Sequence, residues 1–379
     1  MEEINQNSQT SLDFNLDILE QAFKITLNKY EALRTNFVEF NGSPRQTIKS
    51  FQEIIFKADH FVIESSEIKK ELEAYANYEF DLSNEVLLKL GLFETTTGDK
   101  ILLFVTHHII MDGWSLEVLI KEVVDSYRAQ ASGTKLQVRN LSIQFKDYAS
   151  WQHKMEIESK SSNRKFWMNY LKNYNWKSLI SYDKDPLINQ KYSGNFYHFD
   201  WDKMFLTELN DMALDHKITL HTLLATTFNI VIYKMKNLSD ICFGTINSGR
   251  PFSDLHNQIG MFVKTLPLRT SLASNDLVAD IFQRVQGDML AVDVHQDIPE
   301  DILSTLRLEA ILVLQNPTFN YEKIEVDKDF VLKFQPVDAQ YNRLPLLVSF
   351  SVNETNLHGS VYYDSGKYEV ETIELIVQK

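Results

Sequence analysis

Five consecutive apolar residues, Ile101–Val105, run straight into Thr106, His107, His108, Ile109, Ile110, Met111, Asp112, Gly113, Trp114 and Ser115. A continuous apolar run of that length reads as a strand buried on both faces. Past the turn, Leu116, Leu119, Ile120, Val123, Val124 and Tyr127 share one face of a helix that opens near Trp114 and stops at Gly133. The chain must therefore build a buried strand, a polar turn and an amphipathic helix in succession. That is an α/β unit, and its turn can present side chains from a rigid support.

The same alternation runs along the rest of the chain. Asp17–Leu33 places Leu19, Ala22, Phe23, Thr26, Leu27 and Tyr30 at helical spacing, with Asp17 and Glu20 as an expected capping pair. Strand-like runs follow at Asn36–Phe40 and Glu85–Phe93, and a long helical stretch covers Ser142–Leu171. Periodicity then fades over Lys172–Gln190, which contains Pro186. The second half resumes with a strand at Gly194–Trp201, helices at Lys203–Asp215 and Thr219–Met235, and a strand at Ile241–Gly244. Leu346–Val352 and Leu357–Tyr363 flank a turn-rich Asn353–Asn356, the pattern of a hairpin. A chain of 379 residues exceeds what one core usually organises. Two lobes are expected, 1–175 and 194–379, joined by a linker at 176–193.

Composition narrows the function classes. The net charge of -14, from 52 acidic against 38 basic residues, opposes a nucleic-acid or anionic-membrane partner, since each needs a dense basic face. Cys242 is the single cysteine, so the chain offers neither an internal disulfide nor a thiolate metal cage. The polar Met1–Thr10 lacks the basic and apolar regions of a signal peptide, and the apolar runs are too short to span a bilayer. A soluble cytoplasmic protein is expected.

The turn is where chemistry can sit. Side chains alternate in direction at the end of a strand, so His107 and His108 should point to opposite faces. Divergent histidines make a poor metal site. The positive end of the following helix disfavours an imidazolium, and a neutral imidazole can accept a proton. Asp112 is either an acid in the reaction or an organiser of the turn; a buried carboxylate needs a cation, for which Arg250 and Arg34 are the candidates.

His107, His108, Asp112 and Gly113 match the HHxxxDG motif of the condensation domains of nonribosomal peptide synthetases, and Trp114 and Ser115 are flanking residues common in that family. Further segments occur in the family's order. Glu31–Phe37 (EALRTNF) resembles HExLRTxF, with Lys29 and Tyr30 where arginine and histidine are usual. Phe145–Trp151 (FKDYASW) resembles YxDYAxW. Gly244–Arg250 and Ile259–Arg269 (IGMFVKTLPLR) resemble the stretch ending in IGxFVNTLPLR, with Lys264 for the usual asparagine. His295–Pro299 (HQDIP) matches HQDxP, with Glu300 for the usual phenylalanine, and Val313–Asn316 (VLQN) a late core strand. The resemblance covers about Ser11 to the C-terminus. An opening strand and helix with an SxAQxRLW-like segment have no counterpart here, and the region between Pro299 and Val313 is shorter than usual.

The resemblance implies an α/β (α+β) fold of two lobes, each similar to chloramphenicol acetyltransferase, forming a V with a central tunnel. It implies amide formation between a donor acyl or peptidyl thioester and an acceptor aminoacyl thioester. Both arrive on phosphopantetheine arms of carrier proteins belonging to other synthetase modules, so no permanently bound cofactor and no metal is expected. His108 would face the reaction path with His107 beside it. Asp112 would pair with Arg250, Arg34 would support the site, and Trp114, Ser115 and Asn316 would line the path. Two other functions fit the same residues: an ester-forming acyltransferase, and a non-catalytic module that docks carriers. An epimerising relative shares the histidines, but the DGWS flank is that of the condensing type.

Overall fold

The computed structural model describes residues 2–4, 15–135, 141–176, 178–184, 193–315, 324–327, 330–334, 345–352 and 356–379. In the first half the elements run β1 (Glu2–Ile4), α1 (Leu16–Lys29), β2 (Thr35–Phe40), β3 (Ser43–Ile48), β4 (Asp59–Ile63), α2 (Ile68–Ala76), β5 (Leu88–Thr95), β6 (Lys100–Thr106), α3 (Gly113–Ala131) and α4 (Phe145–Tyr170). In the second they run β7 (Gly194–Trp201), α5 (Lys203–Asp215), α6 (Leu220–Lys236), β8 (Asp240–Asn247), β9 (Lys264–Ser271), α7 (Val278–Val294), α8 (Glu300–Leu303), β10 (Ala310–Gln315), β11 (Ile324–Asp327), β12 (Phe330–Phe334), β13 (Leu346–Val352), β14 (Leu357–Asp364) and α9 (Val370–Gln378). The fold is mixed α/β, as expected.

These elements divide into two compact units. The first holds the chain as far as Gln152, together with Arg250–Phe262 and the strands β11 and β12; the second holds the remainder. The division differs from the expected boundaries at 175 and 194. It falls within α4, and the segment Arg250–Phe262 leaves the second unit's β8–β9 connection to join the first. The reason is chemical: its buried polar groups find their partners at the start of α3 and at Tyr30, just past the end of α1, as described below. Part of the expected linker at 176–193 lies outside the described residues.

Among the described residues, the first unit has a sheet ordered β11-β12-β1-β6-β5-β4 and a separate β2-β3 hairpin. β4 runs parallel to β5; the other pairings in this sheet are antiparallel. The apolar run that opened the sequence is β6, and both its faces are covered. Leu102 packs in a cluster with Leu19, Phe23 and Leu27 of α1 and Leu119 and Val123 of α3. Its neighbour Leu103 packs in another with Leu72 of α2 and Phe93 of β5. α1 starts earlier than its periodicity predicts, because Asn15 caps it by accepting from the Ile18 N–H at 3.1 Å. Glu20, half of the expected capping pair, instead accepts from the Ala58 N–H. α1 ends at Lys29, and Glu31–Arg34 is a short 3-10 turn. α3 stops before Gly133, whose φ of 64° is a left-handed conformation suited to glycine.

The second unit's sheet is ordered β7-β14-β13-β10-β8-β9. β10 runs parallel to β8 and β13, while β13 and β14 form the expected antiparallel hairpin. One face carries the core: Phe243, Leu266, Leu312, Val348 and Val361 meet Phe228 and Ile232 of α6 and Ile281 and Val285 of α7. Among the described residues no helix is long and apolar enough to cross a membrane.

Candidate active site

β6 ends at Thr106, so both histidines stand in the turn that follows it. The turn is fastened to β5, because the Leu87 carbonyl accepts from the His107 N–H at 3.0 Å and the Thr106 hydroxyl at 3.1 Å. The His107 ring is half-buried, edge-on to Phe80. Its Nδ1 accepts from the Ile109 N–H at 3.1 Å, which fixes the neutral ring with its proton on Nε2. Burial, then the charge of His108, pushes its pKa down. The His108 ring is exposed and has no hydrogen-bond partner among the described residues. One imidazole is thus used by the turn, and the other is left available.

Asp112 caps α3. Its Oδ1 accepts from the Ser115 N–H at 2.8 Å and the Ser115 hydroxyl at 2.7 Å. Arg250 grips the same carboxylate with two nitrogens, Nη1 to Oδ2 at 2.8 Å and Nη2 to Oδ1 at 3.0 Å. The two side chains are 2% and 1% exposed, so the pair is withdrawn from water. Burial alone would raise the Asp112 pKa. The Arg250 hydrogen bonds and charge, with the hydrogen bonds of Ser115, outweigh it and hold the carboxyl below the usual range. Asp112 is therefore an organiser of the turn, and Arg250 is its cation. Arg34 is committed elsewhere: its Nη1 donates to the Lys49 carbonyl at 2.5 Å and its Nη2 lies 3.8 Å from Glu31.

The motif's remaining residues hold a strap, Arg250–Phe262, against the first unit. Backbone groups from Leu255 to Phe262 are taken by side chains nearly in sequence. Arg250 Nε donates to the Leu255 carbonyl, the Trp114 indole to the His256 carbonyl at 2.8 Å, and Arg250 Nη2 to the Gln258 carbonyl. The Ser115 hydroxyl accepts from the Gly260 N–H at 3.0 Å and from Arg250 Nη2 at 2.8 Å. Asp112 Oδ2 accepts from the Phe262 N–H at 3.0 Å. Gly260 presses so closely on Phe145 that a Cβ there would stand 2.2 Å from the ring, which is why the strap carries glycine. Arg250 also lies over the Phe262 ring at 4.2 Å.

This geometry corrects the lining role expected of Ser115. Ser115 is fully buried as a hydrogen-bond junction, and Trp114 spends its N–H on the strap. Asn316 lies outside the described residues. Gly113 is exposed, and a Cβ at its position would meet nothing within 4 Å. Lys264, the departure from the usual asparagine, pairs with Asp297 at 2.5 Å. Among the described residues no three of His, Cys, Asp and Glu are grouped to hold a metal ion. No separate role for the strap's backbone was expected from the sequence, although the order of the Gly244–Arg250 and Ile259–Arg269 segments located its two ends.

The sequence model of the condensation-domain family matches residues 7–379. The chain belongs to the condensation-domain family. It is 28% identical over 367 residues to gramicidin S synthase 2 of Aneurinibacillus migulanus, covering 94% of this chain and 8% of that protein. It is 26% identical over 388 residues to surfactin synthase subunit 1 of Bacillus subtilis (strain 168), covering 98% of this chain and 10% of that protein. The condensation domain described here thus spans a tenth or less of the length of these relatives. Solved structures share its fold over the whole chain. The X-domain from teicoplanin biosynthesis matches with a TM-score of 0.85 at 17% identity over 87% of that chain. The epimerization domain from the third module of tyrocidine synthetase B matches at 0.82 and 17% over 89%. The first condensation domain of the calcium-dependent antibiotic synthetase matches at 0.79 and 13% over 87%.

Proposed function

We propose that this domain joins two carrier-borne acyl groups through an amide. The acceptor's amine attacks the donor's thioester carbonyl, an N–C bond forms, the C–S bond breaks, and the proton shed by nitrogen ends on the departing thiolate. Both substrates come on phosphopantetheine arms of partner carrier proteins. Thioester aminolysis is intrinsically feasible, so holding the two arms together supplies much of the acceleration. A ring nitrogen of His108 receives the amine's proton or orients its lone pair. His107 and Asp112 shape the turn from which His108 projects.

The observation that carries this reading is the contrast between the two imidazoles. The turn is over-determined by Asp112, Arg250 and His107, yet the ring it presents, His108, makes no hydrogen bond among the described residues. An exposed imidazole that makes no hydrogen bond for the fold, on so rigid a support, favours a role toward substrate. A module that only docked carriers would have no use for it. The test is intact mass spectrometry of two loaded carrier proteins incubated with the domain. A condensed product on the acceptor arm is expected. A product formed only with a hydroxyl acceptor would make it an ester-forming enzyme, and carriers that bind but never react would make it a docking module.

A further inference from the structure

Two departures from the family segment, Lys29 and Tyr30, meet in one cluster with Glu122 and the strap. Tyr30 is fully buried, and its hydroxyl lies 3.2 Å from Glu122 Oε1 on α3 and 3.3 Å from the Asn257 carbonyl. Lys29 Nζ donates to the same Glu122 oxygen at 2.6 Å and sits 5.3 Å from the Tyr30 ring centre. Gln144 fixes the backbone on either side, donating to the Lys29 carbonyl and accepting from the Glu31 N–H. A phenol has one proton to give. That proton lies between two acceptors at nearly equal distance, the Glu122 carboxylate and the Asn257 carbonyl, and Lys29, by meeting the charge of Glu122, leaves the carbonyl a share of it. The site is well placed: Asn257 stands in the strap between His256, held by Trp114, and Gln258, held by Arg250.

We propose that Tyr30 is a positioning residue: by holding the Asn257 carbonyl it fixes the middle of the strap, and so the register in which Arg250 and Phe262 reach Asp112 beneath the histidine turn. Tyr30 touches no reacting atom in this arrangement; it acts through the strap. The link to catalysis rests on the proposed function, whereas the link to the strap does not.

Tyr30→Phe keeps the ring and removes only the hydroxyl, so it separates the hydrogen bond from core packing. Amide hydrogen exchange of the whole domain gives a readout independent of turnover. Losing one hydrogen bond should speed exchange at the Gly260 and Phe262 amides by about 5- to 10-fold, while the β8–β9 ladder exchanges as before. The same acceleration is expected in a Glu122→Gln background. Its disappearance there would assign the effect to Glu122 and overturn the proposal, as would unchanged exchange in Tyr30→Phe alone. With a carrier pair that the parent condenses, kcat should fall by a similar factor and KM for either carrier should not move. Faster exchange with unchanged kcat would break the link to the turn. A parent that condenses no loaded pair would sink the proposed function, and the exchange result would still decide whether Tyr30 holds the strap.

Discussion

At the scale of the residue, the Asp112–Arg250 pair governs what the turn tolerates. Both side chains are withdrawn from solvent, so removing one leaves the other charged and buried. Such a loss costs about 3–5 kcal/mol, and Asp112→Ala and Arg250→Met should each show it in chemical denaturation. The double variant should cost clearly less than the sum, because it strands no charge; strict additivity would mean that the pair is not coupled. Gly113 gives the opposite expectation. Nothing within 4 Å would meet a Cβ there, and alanine is the better helix former, so Gly113→Ala should fold at least as stably as the parent. A lower melting temperature would show that the fold needs that glycine. The pairing of the two histidines with an acid was legible in the sequence; the expected alternation at a strand end does not apply, since β6 stops at Thr106, and one ring is half-buried while the other is exposed. Which arginine meets Asp112 was not legible from the residues alone, since Arg34 and Arg250 are equally cationic. Ser115 was misread because a motif's spacing does not tell a side chain that faces substrate from one that satisfies a neighbouring backbone.

At the scale of the element, α7 packs on β9 through a carboxylate in an unusual state. Burial raises the Asp288 pKa to about 6, against the opposing Thr270 hydroxyl bond at 2.9 Å and the charge of Arg284. A folded-state pKa above the unfolded one stabilises the protein most below pH 3.8, and that contribution is lost as pH rises to about 6. Above that window the ionised group is a standing cost of roughly 1–3 kcal/mol. Asp288→Asn should therefore raise stability at pH 7.5, as expected from removing a cost of about that size, and should flatten the difference between pH 7.5 and pH 5. Equal pH dependence of variant and parent in denaturant titrations would contradict this. Most helices were readable from their apolar spacing, and the strands β6 and β7 from their composition. α2, β3 and β4 were not, because their local patterns are weak and their places are set by partners such as Phe93 and Leu103.

At the scale of the whole molecule, sheet order is what periodicity does not encode. β1 is three residues long and lies between β12 and β6, pairing Glu2 with Phe334 and with Leu102. The strap is similar: its sequence follows β8, while it is held by Tyr30, just past α1, and by the start of α3. Ordered family segments nevertheless carried the fold, because their spacing is a signature of the complete architecture. The proposed function has His108 do chemistry on carrier-borne substrates. It is tested most directly by single-turnover intact mass spectrometry of a loaded donor and acceptor carrier with parent and His108→Ala domain, alongside carrier-binding affinities. His108→Ala should lower the rate of condensed product by roughly 10²–10⁴-fold and leave both affinities unchanged. Equal rates for the two proteins, or a parent that binds both carriers and forms no product, would contradict it.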